Sequence, residues 1–286
     1  MVSLWRFVRG LLRHRLGRWG VLILVTMTLV ALLADVIAPY DPYNIRERGR
    51  RKQPPSAEHW LGTDGAGLDI LSEVIYGARV SLLVGTVTAL LVSLLGAMVG
   101  ILAGYAGGPV DTLSMRFADV LFSVPGLPLM IILATYLGTS YWTIILIFTI
   151  LGWAGLSRLV RSQVLSIVHL EYIEAARSYG ASHWRIMWRH ILPAVSSLVI
   201  VNGVMLAAGM MLAEAGLSFL GFGDPKAVSW GKVLSLAQSG HAALFGMWWW
   251  VVPPGAAIFV TALGFMLVGL ALEEQLNPYL RRVRKR

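Results

Sequence analysis

Long apolar runs separated by polar stretches dominate this chain, and their length sets the first expectation. A helix crossing a hydrocarbon core about 30 Å thick needs roughly 20 apolar residues at about 1.5 Å of rise each. Six stretches meet that need, at about 20–38, 80–104, 117–137, 139–157, 194–218 and 250–272. The pattern predicts an all-α membrane protein with about six transmembrane helices. Between the first two spans, 39–79 is long and polar, with Pro39, Pro42, Pro54 and Pro55 against helix. The run 20–38 is longer than the apolar part of a signal peptide, and Ala38-Pro39-Tyr40 is a poor cleavage site, so a retained first helix is expected.

The stretch 158–193 is patterned differently. Tyr172, Ala175, Ala176 and Tyr179 recur at helical spacing, with Glu171, Glu174 and Ser178 on another face. After Gly180 a second stripe follows, Trp184, Met187, Trp188 and Ile191, with Arg185 and Arg189 away from it. Two short amphipathic helices around a glycine make a helix-turn-helix, and Gly180 sits where a chain leaving a helix often needs positive φ. Pro193 marks the break before the next span, or its first turn. Neither helix can cross a membrane, so each stripe is expected to pack on something. Spacing alone leaves two uses open: lying on anionic lipid, or docking a partner protein against the small alanines.

Composition narrows the rest. Hydrophobic residues make up 57% of the 286 and charged ones only 14%, where a soluble domain is about half apolar and a quarter charged. The absence of cysteine excludes disulfides, iron–sulfur clusters and thiolate metal sites. A net charge of +9 could suggest nucleic acid. The cations, however, cluster beside the spans: Arg6, Arg9, Arg13, Arg15 and Arg18, then Arg158, Arg161, Arg177, Arg185 and Arg189, then the tail Arg281, Arg282, Arg284, Lys285 and Arg286. That distribution predicts cytoplasmic N- and C-termini, a loop 39–79 outside and no nucleic-acid partner. Arg46, Arg48, Arg50, Arg51 and Lys52 run against the rule, although nearby acids roughly cancel them.

Within the spans, Gly96, Gly100 and Gly104 form a small-xxx-small stripe that lets a neighbouring helix approach closely. Glu214 is the chief ionisable residue at membrane depth, near the outer end of its span, and is a candidate for the transport path or for a structural hydrogen bond. Asp119 and Arg116 are three apart and predict a local ion pair. Pro125 and Pro128 interrupt the third span and free carbonyls that need neighbours or a water-lined path. Trp248, Trp249 and Trp250 fit an interfacial aromatic belt. The six histidines show no metal-ligand spacing, and no metal site is expected. Neither a phosphate-binding G-x-x-x-x-G-K-[ST] loop nor a convincing catalytic constellation occurs, so the chain is expected to be no enzyme.

Glu174-Ala175-Ala176-Arg177-Ser178-Tyr179-Gly180, ending at Leu192-Pro193, resembles the EAA motif of bacterial ABC importer permeases. His59-Trp60-Leu61-Gly62-Thr63-Asp64, Gly77-Ala78-Arg79-Val80-Ser81-Leu82, the set Arg116, Asp119 and Pro125, and Ala213-Glu214-Ala215-Gly216-Leu217-Ser218-Phe219-Leu220-Gly221 resemble the dipeptide, oligopeptide and nickel branch, the C-type permeases. The chain departs from the branch at Leu68, at Asp224-Pro225-Lys226, and at Leu270, Glu273, Glu274 and Asn277.

The resemblance implies the type I ABC importer permease fold in a bacterial or archaeal cytoplasmic membrane. The first 79 residues would hold the first span and its outer loop, residues 80–276 the permease domain, and 277–286 a basic cytosolic tail. Glu174, Ala175, Ala176, Gly180, Leu192 and Pro193 would couple the spans to the ATPases, and Glu214, Asp119 and Pro125 would serve the pathway or its gate. Implied partners are a second homologous permease, two cytosolic ATPase subunits that use ATP and Mg, and an external substrate-binding protein. No cofactor is expected on this chain. Dipeptides, oligopeptides and nickel all remain possible cargoes, and a non-transporting membrane anchor or signalling subunit is the rival expectation.

Overall fold

The computed structural model describes residues 11–276 except Arg13 and Arg48. Arg6, Arg9 and Arg13 of the N-terminal cluster, and the basic tail 277–286, therefore lie outside the described residues. Besides a single turn of helix at Ala34–Ile37, ten helices carry the described fold: α1 Arg15–Leu32, α2 Ile70–Ala106, α3 Gly108–Ser123, α4 Gly126–Leu137, α5 Tyr141–Ile167, α6 Glu171–Ser178, α7 His183–Ile186, α8 Leu192–Leu217, α9 Trp230–Ser239 and α10 Trp248–Leu276. No strand occurs among the described residues, only an isolated bridge between Thr63 and Asp69. By length and composition α1, α2, α5, α7–α8 together and α10 can each cross a membrane, and the bent pair α3–α4 makes a sixth span if its two helices count as one.

Local chemistry sets several helix starts. Asp69 caps α2 by accepting from the Ser72 N–H at 2.8 Å, and Ser140, Ser182 and Ser229 cap α5, α7 and α9 in the same manner. The α2 cap lies deep in the stretch taken for loop, so α2 begins ten residues before its apolar run. Its extra turns belong to a folded head that the pattern did not predict. In that head Trp250 is 1% exposed and packs with Ile70, Tyr76, Val233 and Ala237. Trp250 is thus a core residue rather than part of an interfacial belt, whereas Trp248 stays exposed. α9 adds a helix inside the stretch between the last two spans.

The third span also differs from expectation. The run 117–137 is not one helix: α3 and α4 meet at a 90° bend at Val124-Pro125. Proline disfavours α conformation in the residue before it, and Val124 is extended, with φ −96° and ψ 132°.

α2 and α5 form the tightest pair. A Cβ on Gly100 would come within 2.6 Å of the Ser157 carbonyl oxygen and 2.7 Å of Val160 Cβ. On Gly96 it would meet Leu156 Cβ and the Trp153 carbonyl at 3.0 Å, and on Gly104 it would meet Val164 Cβ at 2.8 Å. The three glycines place α5 directly on the α2 backbone, where dispersion contacts replace the missing hydrophobic drive of a lipid medium.

Candidate functional site

The helix-turn-helix forms at the end where α2 finishes and α5 leaves off. α6 ends in a Schellman turn: the Ala181 N–H reaches the Ala176 carbonyl at 3.1 Å, and the Gly180 N–H reaches the Arg177 carbonyl at 3.0 Å. Gly180 takes φ +76°, and a Cβ built there would meet nothing within 4 Å. Glycine is needed here for backbone conformation and not for room. α7 then runs through one wider turn, Met187–Ile191, straight into α8, so Leu192 and Pro193 sit in the first turn of that span and not at a break.

The α6 stripe faces outward, open to lipid or a partner, and a residue outside it does the anchoring. Tyr172 is 45% exposed, Tyr179 is 92% exposed and Ala175 is exposed, while Ile173, placed on no stripe by the pattern, is fully buried. In the second helix Trp184 and Trp188 are exposed, and Ile186 and Ile191 are the buried pair. The three isoleucines pack into one cluster with Ile101, Val160, Val164, Ile167 and Val195, from the ends of α2, α5 and α8. Burying each contributes about 1.5–3 kcal/mol. The turn is therefore held rigidly from beneath, while Glu174, Ala175 and Tyr179 stand free on its outer side.

Beside it, α3 is tied to α5 by ion pairs. Asp119 accepts from Arg158 Nη2 at 2.5 Å, and Arg116, the partner expected from spacing, stands off at 4.0 Å. Asp111 pairs with Arg161 through both carboxylate oxygens. Arg158 also lies over the Phe122 ring, 4.3 Å from its centroid. Spacing along one helix could not show these cross-helix partners.

Just beyond, the α3–α4 bend leaves residues 122–128 exposed without interruption. α4 starts at a broken end with no side-chain cap, and the first N–H groups of a helix have no partner within it. With 12 residues, α4 spans about 18 Å, short of the roughly 30 Å hydrocarbon core. Its far end lies by Tyr141 and Trp142 at the start of α5, so in a span made of both helices the bend would lie at membrane depth. Irregular backbone at that depth survives only against protein or beside water.

Glu214 is 2% exposed. Its carboxylate accepts from Ser218 Oγ at 2.7 Å and from Ser81 Oγ at 3.3 Å, and Ser81 Oγ in turn accepts the Trp230 N–H at 3.2 Å. The residue joins α8, α2 and the start of α9, which is a structural role in this conformation. Nearby, Lys232 Nζ donates to the carbonyls of Pro225 at 2.7 Å and Ala227 at 2.9 Å. Burial pushes its pKa down, and Asp224 and Glu73 oppose that shift. Glu73 itself, at 2% exposure, has one carboxylate oxygen without a hydrogen-bond partner. His59 is buried too, with Nδ1 3.0 Å from Asp69. Sequence puts all of 39–79, Glu73 included, in a loop; the N-cap residue Asp69 is the signal that could have marked a helix start there.

Residues 96–282 match the family described as the binding-protein-dependent transport system inner membrane component, which covers more than half of the chain. This chain belongs to that permease family. Residues 3–55 match the N-terminal transmembrane domain of oligopeptide transport permease C. The permease is 36% identical over 276 residues to the dipeptide transport system permease protein DppC of Bacillus subtilis, with 96% of this chain and 85% of that one covered. It is 36% identical over 285 residues to the oligopeptide transport system permease protein OppC of the same organism, covering 98% and 92%. The glutathione transport system permease protein GsiD of Pectobacterium atrosepticum is 37% identical over 284 residues, covering 97% and 92%. A multi-pass inner-membrane permease, and not an enzyme, is what the helices and these relatives establish together.

Proposed function

We propose that this permease forms half of the translocation path of an ATP-driven, binding-protein-dependent importer of short peptides. The observation that carries the proposal is the helix-turn-helix: a rigidly seated turn whose outer face, Glu174, Ala175 and Tyr179, has no partner within the described fold. Two separate ATPase subunits bind ATP and Mg, and one of them receives this face. Leu192 and Pro193 start α8 directly above the turn, so a push on α6 and α7 moves a span as one body. N- and C-termini lie on the cytoplasmic side with the turn, and the head built from 39–69 and α9 faces outward to a substrate-binding protein. A second homologous permease supplies the other half and lies against the open α3–α4 bend. Peptide cargo is favoured because the relatives carry peptide names, including glutathione, a tripeptide.

A mild-detergent pull-down of the tagged chain from its native membrane tests the assembly. Recovery of an ATPase pair and a second permease is expected. Recovery of the chain alone, where a known transporter complex survives, would support a non-transporting anchor. Gly180→Val tests the coupling role: the protein should remain in the membrane while ATP-driven peptide uptake is lost. Unchanged uptake would sink the docking assignment.

A further inference from the structure

Two adjoining hollows lie between the end of α2 and the helix-turn-helix, and the coupling role uses neither. The first, about 160 Å³, is walled on one side by Leu94, Met98 and Leu102 of α2 and on the other by Trp184 and Trp188. The second, about 330 Å³, shares Leu102 and Met187 with it and adds Tyr105, Arg177 and His183. Along α2 the lining thus passes from wholly aliphatic at Leu94 to polar at Tyr105, near the end of the helix. The polar compartment is built: Tyr105 Oη lies 2.8 Å from His183 Nδ1, and the Arg177 guanidinium lies 5.8 Å above the Tyr105 ring. Arg177 makes no ion pair among the described residues, nor do the exposed Arg185 and Arg189 on the same turn. Trp184 and Trp188 meet edge to face, 5.3 Å between centroids, and both stay exposed. Tryptophan in that setting belongs at a membrane–water interface.

An aliphatic slot within the bilayer, opening at its aqueous end onto unpaired cations, is complementary to an amphiphile with one apolar chain below a negative head. We infer that this seam binds an anionic phospholipid of the leaflet on the coupling side. An acyl chain lies between α2 and the tryptophans, and the phosphate lies at Arg177 and His183. Arg177 belongs to α6 and Leu102 to α2, so the bound lipid braces the coupling turn against a span. Only the assignment of that leaflet as the inner one rests on the proposed function.

The test is native mass spectrometry of the purified, delipidated complex titrated with dioleoyl phosphatidylglycerol and, separately, dioleoyl phosphatidylcholine. One phosphatidylglycerol should be retained, about tenfold more tightly than phosphatidylcholine. Arg177→Gln should cost phosphatidylglycerol about fivefold, the weight of one cation at an anionic surface, and leave phosphatidylcholine nearly unchanged. Met98→Trp, which fills the slot, should lose both lipids. Leu102→Gln, which spoils the slot with little change of size, should weaken both and covers the case in which Met98→Trp fails to fold. Equal retention of the two lipids by the unchanged protein would overturn the inference. So would variants that bind like it, or a Met98→Cys protein that cross-links to another subunit instead of lipid. The readout needs no ATP: failure to recover ATPases would remove the transport proposal alone, and equal retention of the two lipids by a complex that transports would remove the lipid site alone.

Discussion

Gly100 and Gly180 are the same residue used for opposite reasons. At Gly100 the neighbouring helix presses so closely that a single added carbon would enter the Ser157 carbonyl. At Gly180 there is nothing to press against, and the requirement is the positive φ alone. The α2–α5 seam is specified by contact, and the coupling turn by backbone conformation over a buried footing. A seam of the first kind resists sliding and suits a fixed scaffold. A turn of the second kind keeps its outer face free, which suits a surface that must meet a partner.

The largest effect should therefore come from filling the seam. Gly100→Leu has no room to relax, because its first obstacle is backbone, and should destabilise the protein by about 3 kcal/mol, the upper end for overpacking. The expected outcome is loss of monodisperse protein after detergent extraction. Normal recovery and thermal stability would show that α5 does not lie on the glycine stripe. Next comes the footing of the turn. Ile173→Ala empties a fully buried position and should cost about 2–4 kcal/mol. Limited proteolysis should then cut within 168–185 first, and an even loss of stability along the chain would contradict the seating described here.

Much of this contrast was legible in the chain. Apolar run length gave the spans, four-residue spacing gave the glycine stripe, and the glycine between two short amphipathic segments gave the helix-turn-helix. What failed did so for physical reasons. Helical periodicity marks a face but not what holds the helix down: the tyrosine and alanine stripe of α6 stays exposed, and Ile173, which no stripe includes, carries the burial. The three-residue spacing of Arg116 and Asp119 suggested a local pair, yet the stronger partner, Arg158, comes from another helix. The head around Glu73 and Trp250 was invisible because its order comes from contacts among segments far apart in sequence. The bend at Pro125 was half visible: proline announced an interruption, but only the structure shows 90°.

A smaller effect separates conformation from contact at the turn itself. Gly180→Ala should cost about 1–2 kcal/mol, the penalty for a Cβ in the left-handed region, although space for the methyl is open. Gly180→Asn should cost less, since asparagine tolerates that conformation. Equal losses from the two substitutions, measured by thermal unfolding in detergent, would mean that bulk and not φ governs the position.

The smallest effect on stability, and the sharpest on environment, lies at the α3–α4 bend. A Cβ on Gly126 meets nothing within 4 Å, so Gly126→Cys should change stability by no more than about 0.5 kcal/mol. The natural chain has no cysteine, which makes the introduced thiol the sole reporter. Open amides within the membrane demand water or protein beside them. Gly126→Cys should therefore react with a water-soluble maleimide, or form a disulfide to a cysteine scanned along the neighbouring subunit. Leu22→Cys, on an exposed apolar face of α1, should do neither. Silence at both positions would place the bend in lipid and defeat the argument from unpaired backbone. Reaction at Gly126→Cys alone would mark the face across which the second permease completes the path.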